Sequence, residues 1–261
     1  MLTVSLLIAR DVPLSGGVHA NASEASSTVA ADRPTLPPEL GPRHQLNYQE
    51  WVKILEKEAR VAAETQPERL TILAGDSISL WFPPDLLPSD RHWLNQGISG
   101  ETSAGLFERL PLLDDTRPET VFVMIGINDM LQDINDETIL ENYRKIIRDL
   151  LWVHPDAQVV VQSILPHSAK EATWEGRDRL LEIPNRRIRE INDRLEAMAE
   201  AEGVRYLNLY PLFADEDGKL QPELSTDGLH LNEKGYLVWR SALQLYSQLE
   251  LESDSMAAES N

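Results

Sequence analysis

From Leu70 onward the chain alternates short apolar runs with stretches of helical length, and this alternation restricts the fold more than any other feature. The apolar runs are Leu70 to Ala74, a short one from His92 to Asn95, Thr120 to Ile125, Gln158 to Ile164 and Val204 to Leu209. Runs this short, flanked by turn formers, are expected of strands buried on both faces. Helices are expected at Ser103 to Leu110, Asp136 to Val153, about Pro184 to Glu202, and Glu233 to Leu249. Proline is tolerated at the start of the third of these, and Gly203 ends it. Strands alternating with helices imply parallel strands joined by right-handed crossovers. The fold class is therefore α/β, a three-layer α/β/α sandwich in one domain covering about residues 70–249, with no internal repeat.

What precedes the first strand divides in two. Tyr48 to Ala63 has helical spacing, with Trp51, Ile54, Leu55, Val61 and Ala62 able to share a face, so residues 44–69 are expected to pack a helix on the domain. Residues 1–43 read as a flexible leader, with Pro34, Pro37, Pro38 and Pro42 crowded together. Leu2 to Ala9 is apolar and Val18-His19-Ala20 resembles a cleavage site, but no positive charge precedes the run. Export and a cytoplasmic location both stay open. The acidic stretch from Glu250 to Asn261 is expected to be a disordered tail.

Of the 261 residues, 42% are hydrophobic and 26% charged, an ordinary globular balance. The net charge of −19 argues against nucleic acid or an anionic membrane surface as the main partner. The absence of cysteine excludes disulfides, thiolate zinc sites and a thiol nucleophile. No apolar stretch approaches the length of a membrane span. The oligomeric state is unreadable.

Three strands end in polar clusters at one sheet edge, and a fourth cluster precedes the last helix. They are Gly75-Asp76-Ser77, Asn95 to Thr102, Gly126-Ile127-Asn128-Asp129, and Asp227 to Asn232. Open α/β sheets bind ligands where such loops converge. In the first cluster Gly75 lets the chain turn sharply, Asp76 can bond back onto the turn, and Ser77 is presented at the strand end. Taken alone, Ser77 reads as a helix cap. A serine hydroxyl becomes a nucleophile only when a base takes its proton. His230 is the candidate base, because it alone among the six histidines follows a carboxylate, Asp227, by three residues in a glycine-containing loop. Asp227 can orient the imidazole through Nδ1–H. The backbone N–H groups of Ser77 and Gly100 and the Asn128 amide are candidate oxyanion donors. Each residue also has an ordinary structural reading, as a cap, a turn residue or a core histidine.

Taken together, these four blocks resemble the GDSL, or SGNH, hydrolase superfamily, across essentially the whole of residues 70–249. The resemblance implies a flavodoxin-like five-stranded parallel sheet in the order 2-1-3-4-5. It implies Ser77 as nucleophile, His230 as base, Asp227 as orienter, and Ser77, Gly100 and Asn128 as the oxyanion hole. The spacing from Asn95 to Thr102 and from His230 to Tyr236 is most similar to bacterial relatives of platelet-activating-factor acetylhydrolase subunits and of lysophospholipase/thioesterase I enzymes. Ile78 replaces the leucine of the name-giving motif, and Ile127 stands where many members have a smaller residue.

The function implied is hydrolysis of a small-molecule carboxylic ester, with a short acyl or acetyl group on a lysophospholipid or a carbohydrate, through an acyl-enzyme and without cofactor or metal. Transfer of the acyl group to an alcohol stays open, because the covalent half-reaction is the same. A metal-dependent phosphoesterase would need ligands drawn from Asp76, Asn128, Asp129 and His230, and no second histidine cluster accompanies them. A non-catalytic binding module on the same fold is the remaining alternative. Trp81, Phe82 and Trp174 are candidates for an acyl pocket, against ordinary packing. His154 reads as a cation at a helix end, and His167 as a solvent-facing loop residue. The long polar connection Leu165 to Glu182 is expected to cover substrate.

Overall fold

The structure is a computed structural model and describes residues 46–251. The expected leader and the tail beyond Leu251 lie outside the described residues. The first helix is α1 (Tyr48–Thr65). Its N-terminus closes as a capping box: Glu50 N–H donates to Asn47 Oδ1 at 3.1 Å and Asn47 N–H donates to Glu50 Oε2 at 2.8 Å. Trp51, Leu55, Ala59 and Ala62 form its buried stripe.

Five parallel strands follow: β1 (Leu70–Gly75), β2 (His92–Gly97), β3 (Thr120–Met124), β4 (Gln158–Gln162) and β5 (Arg205–Leu207). They stand side by side as β2-β1-β3-β4-β5, the 2-1-3-4-5 order. The order reverses between β2 and β3 on either side of β1, so the switch point faces the end of β1, where a ligand crevice belongs. Between the strands come α2 (Ser77–Leu80), α3 (Ser103–Arg109), α4 (Ile127–Leu131), α5 (Asp136–Val153), α6 (Arg177–Leu181) and α7 (Asn185–Ala201). After β5 come α8 (Tyr210–Phe213) and α9 (Glu233–Tyr246).

Strand side chains alternate between the two layers, as pleating requires. Ile72, Ala74, Val121, Val123, Val159 and Val161 pack against α1, α3, α5 and α7. Leu73, Phe122 and Val160 face the other way, toward Ile78, Phe82 and the α9 residues Tyr236, Trp239 and Leu243. On that side Phe82 lies 5.0 Å from Tyr236 and 5.1 Å from Trp239 between ring centroids. Tyr236 Oη also donates to the Ile78 carbonyl at 2.9 Å. The last helix thus grips the turn that follows β1.

β4 and β5 each end two residues before their apolar runs do. Past β4, the Ile164 N–H and carbonyl pair with the Asn192 side-chain amide, both at 2.8 Å, and so leave the ladder. Past β5, the N–H groups of Leu209 and Tyr210 both donate to Ser163 Oγ at 2.8 Å. Side-chain polar groups take the place of the sheet ladder at both points.

Candidate active site

Gly75 is required for a reason other than turning. It is the last residue of β1, and a Cβ there would run into the Met124 carbonyl on β3 and the Ser79 side chain. The chain then enters α2 with Asp76, not Ser77, as N-cap: Asp76 Oδ1 accepts from Ile78 N–H at 2.9 Å. Ser77 is therefore the first helical residue and its hydroxyl is released from capping. Its Oγ lies 3.0 Å from His230 Nε2, across 153 residues of sequence. At the N-terminus of α2 the Ser77 N–H also has no intrahelical acceptor.

His230 is held from behind. Its Nδ1 lies 2.8 Å from Asp227 Oδ2, while Asp227 Oδ1 accepts from the N–H groups of Leu229 (3.0 Å) and His230 (2.8 Å). Burial alone would raise the Asp227 pKa, but these bonds hold its carboxyl below the usual value. The ring is thereby fixed with Nδ1–H toward the carboxylate and Nε2 toward Ser77.

The connection expected to cover substrate lies along this loop. Ser168 N–H donates to the Gly228 carbonyl at 2.8 Å, and Thr173 and Trp174 N–H donate to the Asp227 carbonyl at 2.8 and 3.0 Å. Contact is so close that a Cβ on Gly228 (φ +89°) would sit 2.6 Å from Ala172 Cα. Gly228→Ala should therefore cost about 3 kcal/mol, combining left-handed strain with overpacking. An unchanged denaturation midpoint would contradict this packing.

Asn128, in α4, donates through Nδ2 to the Glu101 carbonyl at 3.0 Å, which leaves its second amide hydrogen uncommitted. Gly100 occupies the adjoining exposed turn at φ +77°. The next residue, Asp129, is fully buried: Ser103 donates to it through N–H (2.8 Å) and Oγ (2.5 Å). Ser77, Gly100, Asn128, Asp227 and His230 thus all lie at the carboxyl edge of the sheet, Ser77 and Asn128 in the first turns of α2 and α4 and the others on loops, and hydrogen bonds join Ser77 to His230 to Asp227.

The capping role of Asp76 was legible in the sequence, but its burial was not. Asp76 is buried, and that burial pushes its carboxyl up to about 7, against the opposing Ile78 N–H and His230. A carboxyl raised in the folded state stabilises below its ordinary value near 3.8 and ceases to do so as pH rises through about 7. Asp76→Asn keeps a capping oxygen and escapes that loss. Its stability relative to the parent should increase from pH 4 to about pH 7 and level off above that, and a pH-independent difference in urea melts would contradict the assignment.

Other expectations change. His167 is buried, not solvent-facing: its Nδ1 accepts from Ala169 N–H at 3.0 Å and Nε2 donates to the Ile183 carbonyl at 2.7 Å. His154 caps α5 but is buried, and desolvation lowers its pKa, so the helix-end cation reading fails. Phe82 and Trp174 are packing residues, in or against the two core clusters. Trp81 meets Trp51 edge-on at 6.5 Å beside a groove of about 610 Å³ whose lining includes Leu55, Phe82 and Trp93 but none of Ser77, Gly100, Asn128 or His230. Asp90-Arg91-His92 sits at the start of β2, the edge opposite the crevice. Among the described residues no group of three or more His, Cys, Asp or Glu side chains is placed to hold a metal ion.

The profile of the GDSL-like Lipase/Acylhydrolase family matches residues 74–238. The N-acylneuraminate cytidylyltransferase of Streptococcus agalactiae serotype V is 26% identical over 193 residues, 74% of this chain and 44% of that protein. The chain thus spans less than half the length of that relative. An arylesterase of Vibrio mimicus is 35% identical over 101 residues, 33% of this chain and 50% of that one. Among solved structures, a protein from Streptococcus pneumonia given provisionally as a platelet activating factor superposes with a TM-score of 0.68 at 27% identity, covering 76% of this chain and 92% of that one. A GDSL-like lipase from Bacteroides thetaiotaomicron shares the fold, with a TM-score of 0.62 at 22% identity over 77% of this chain and 98% of its own.

Proposed function

We propose, from the premise that this chain belongs to the GDSL-like lipase/acylhydrolase family, that it cleaves carboxylic esters through an acyl group held on Ser77. The observation that carries this reading is the continuous contact from Ser77 Oγ to His230 Nε2 (3.0 Å) and from His230 Nδ1 to Asp227 (2.8 Å). His230 takes the hydroxyl proton as Oγ attacks the acyl carbonyl. The oxyanion is received by Ser77 N–H, Gly100 N–H and the free Asn128 amide hydrogen. Collapse of the tetrahedral intermediate expels the alkoxide, which the imidazolium protonates. Water, deprotonated by His230, then attacks the acyl-enzyme and frees the serine. No step calls for a cofactor.

The acyl group is short. A mainly apolar groove beside α2 is lined without the serine or its partners, so it offers no channel for a long chain attached to Ser77. For the alcohol, the relatives' names support a lipid or a carbohydrate: a platelet activating factor in one case, a cytidylyltransferase of N-acylneuraminate in another.

Hydrolysis of p-nitrophenyl acetate, butyrate and octanoate tests both parts. The expected order of kcat/KM is acetate or butyrate well above octanoate. Asn128→Ala should lower kcat by about 10²-fold with KM little changed, as for loss of one oxyanion donor. Absence of hydrolysis above the buffer rate for all three esters would contradict the reading.

A further inference from the structure

One guanidinium lies behind all three candidate oxyanion donors. Arg109, the last residue of α3, is buried. Its Nε donates to Glu101 Oε2 at 2.6 Å, and its Nη2 donates to the Gln96 carbonyl at 2.6 Å and, more loosely, to the Gly75 carbonyl at 3.4 Å. Gly75 ends β1 and leads directly into Asp76-Ser77. Gln96 lies at the end of β2 and leads into the turn that holds Gly100. Glu101 follows Gly100, and its own carbonyl receives the Asn128 amide at 3.0 Å. The chain segments bearing Ser77 N–H, Gly100 N–H and Asn128 Nδ2 therefore converge on one side chain.

We propose that Arg109, paired with Glu101, is a positioning residue that sets the spacing of the oxyanion hole. The inference rests on the serine-esterase reading above. Burial pushes the Glu101 carboxyl up, and Arg109 and the Tyr48 hydroxyl oppose that rise. The pair is almost wholly removed from solvent, with 4% and 2% of the two side chains exposed. Only a planar fork can donate to a carboxylate and to two carbonyls on neighbouring strands at once, so lysine is not equivalent here. Tyr48 belongs to α1, which gives the N-terminal helix a direct connection to the turn beside Gly100.

The test is a double-mutant cycle on ester hydrolysis with Arg109→Met, Asn128→Ala and the combined variant, all confirmed folded by circular dichroism. Arg109→Met should lower kcat by about 10²-fold, the effect of an ångström-scale misplacement, with KM within about twofold of the parent. Arg109→Lys should recover only part of the loss. Because both changes disable the same hole, the double variant should fall little below the weaker single. Independent drops that multiply, or a kcat for Arg109→Met close to the parent's, would overturn the proposal. If Arg109→Met does not fold, Glu101→Gln enters the same cycle, with a smaller kcat loss and the same non-additivity expected and the same outcomes overturning it. Ser77→Ala is assayed alongside. Parent-like activity in Ser77→Ala defeats the serine reading itself, whereas a Ser77→Ala reduced to its residual rate beside a fully active Arg109→Met defeats only the positioning role.

Discussion

Ser77→Ala should lower kcat for ester hydrolysis by at least about 10⁴-fold, the scale seen when a nucleophilic serine is removed from a hydrogen-bonded triad. The residual rate is what oxyanion donors and binding alone supply to attack by water. The loss should not come from unfolding. Alanine keeps the Cβ, Asp76 rather than Ser77 caps α2, and the hydroxyl bonds to His230. His230 keeps its tether to Asp227 and is 22% exposed, so water can take the vacated position. The expected pattern is an unchanged thermal midpoint, a KM near the parent's and a collapsed kcat. A variant that melted early would assign Ser77 a structural role. One that retained most of its activity would remove it from the chemistry.

Asp227→Asn should cost about 10⁴-fold in kcat, close to the serine variant, although its shape is nearly unchanged. The asparagine oxygen can still accept from the Leu229 and His230 N–H groups, which preserves the loop. The changed atom is the one facing His230 Nδ1 at 2.8 Å. An amide N–H there turns Nδ1 into an acceptor and places the ring proton on Nε2, where it cannot receive the Ser77 proton. The stability effect has a defined sign. The Asp227 carboxyl is held below its ordinary value, so its contribution is present above pH 3.8 and is lost as pH falls through the lower folded value. The parent and Asp227→Asn should therefore differ in stability at neutral pH and converge in acid. Equal kcat values would show that the carboxylate does not set the tautomer.

What was legible in the sequence follows from periodicity and from local chemistry. The strands at Leu70, Thr120 and Gln158 were readable because central strands covered by helices on both faces are largely apolar, whereas the partly buried edge strands β2 and β5 were readable from their place in the alternation with helices. Their ends were less so, since Asn192 and Ser163 truncate β4 and β5 from distant positions. The sheet order came from the family resemblance, and periodicity alone does not specify it. Asp227 and His230 stood out because three residues in a tight loop let one carboxylate bond both the ring and the backbone. Arg109 did not, because its partners Gln96 and Gly75 are main-chain carbonyls, which carry no sequence signature. His167 was misread for the same reason: its buried partners are backbone groups of Ala169 and Ile183. The stretch from Leu165 to Glu182 reads as polar, yet the N–H groups of Ser168, Thr173 and Trp174 are spent on Asp227 and Gly228, a tertiary fact invisible in composition.

The central claim is that the acyl group passes to the oxygen of one serine. Treating the protein with diisopropyl fluorophosphate and mapping the adduct by tandem mass spectrometry tests it most directly. The account predicts one phosphorylated residue, Ser77, formed in step with loss of activity and strongly slowed in His230→Ala. Full inactivation with the adduct on another residue, or full activity with Ser77 quantitatively modified, would contradict it.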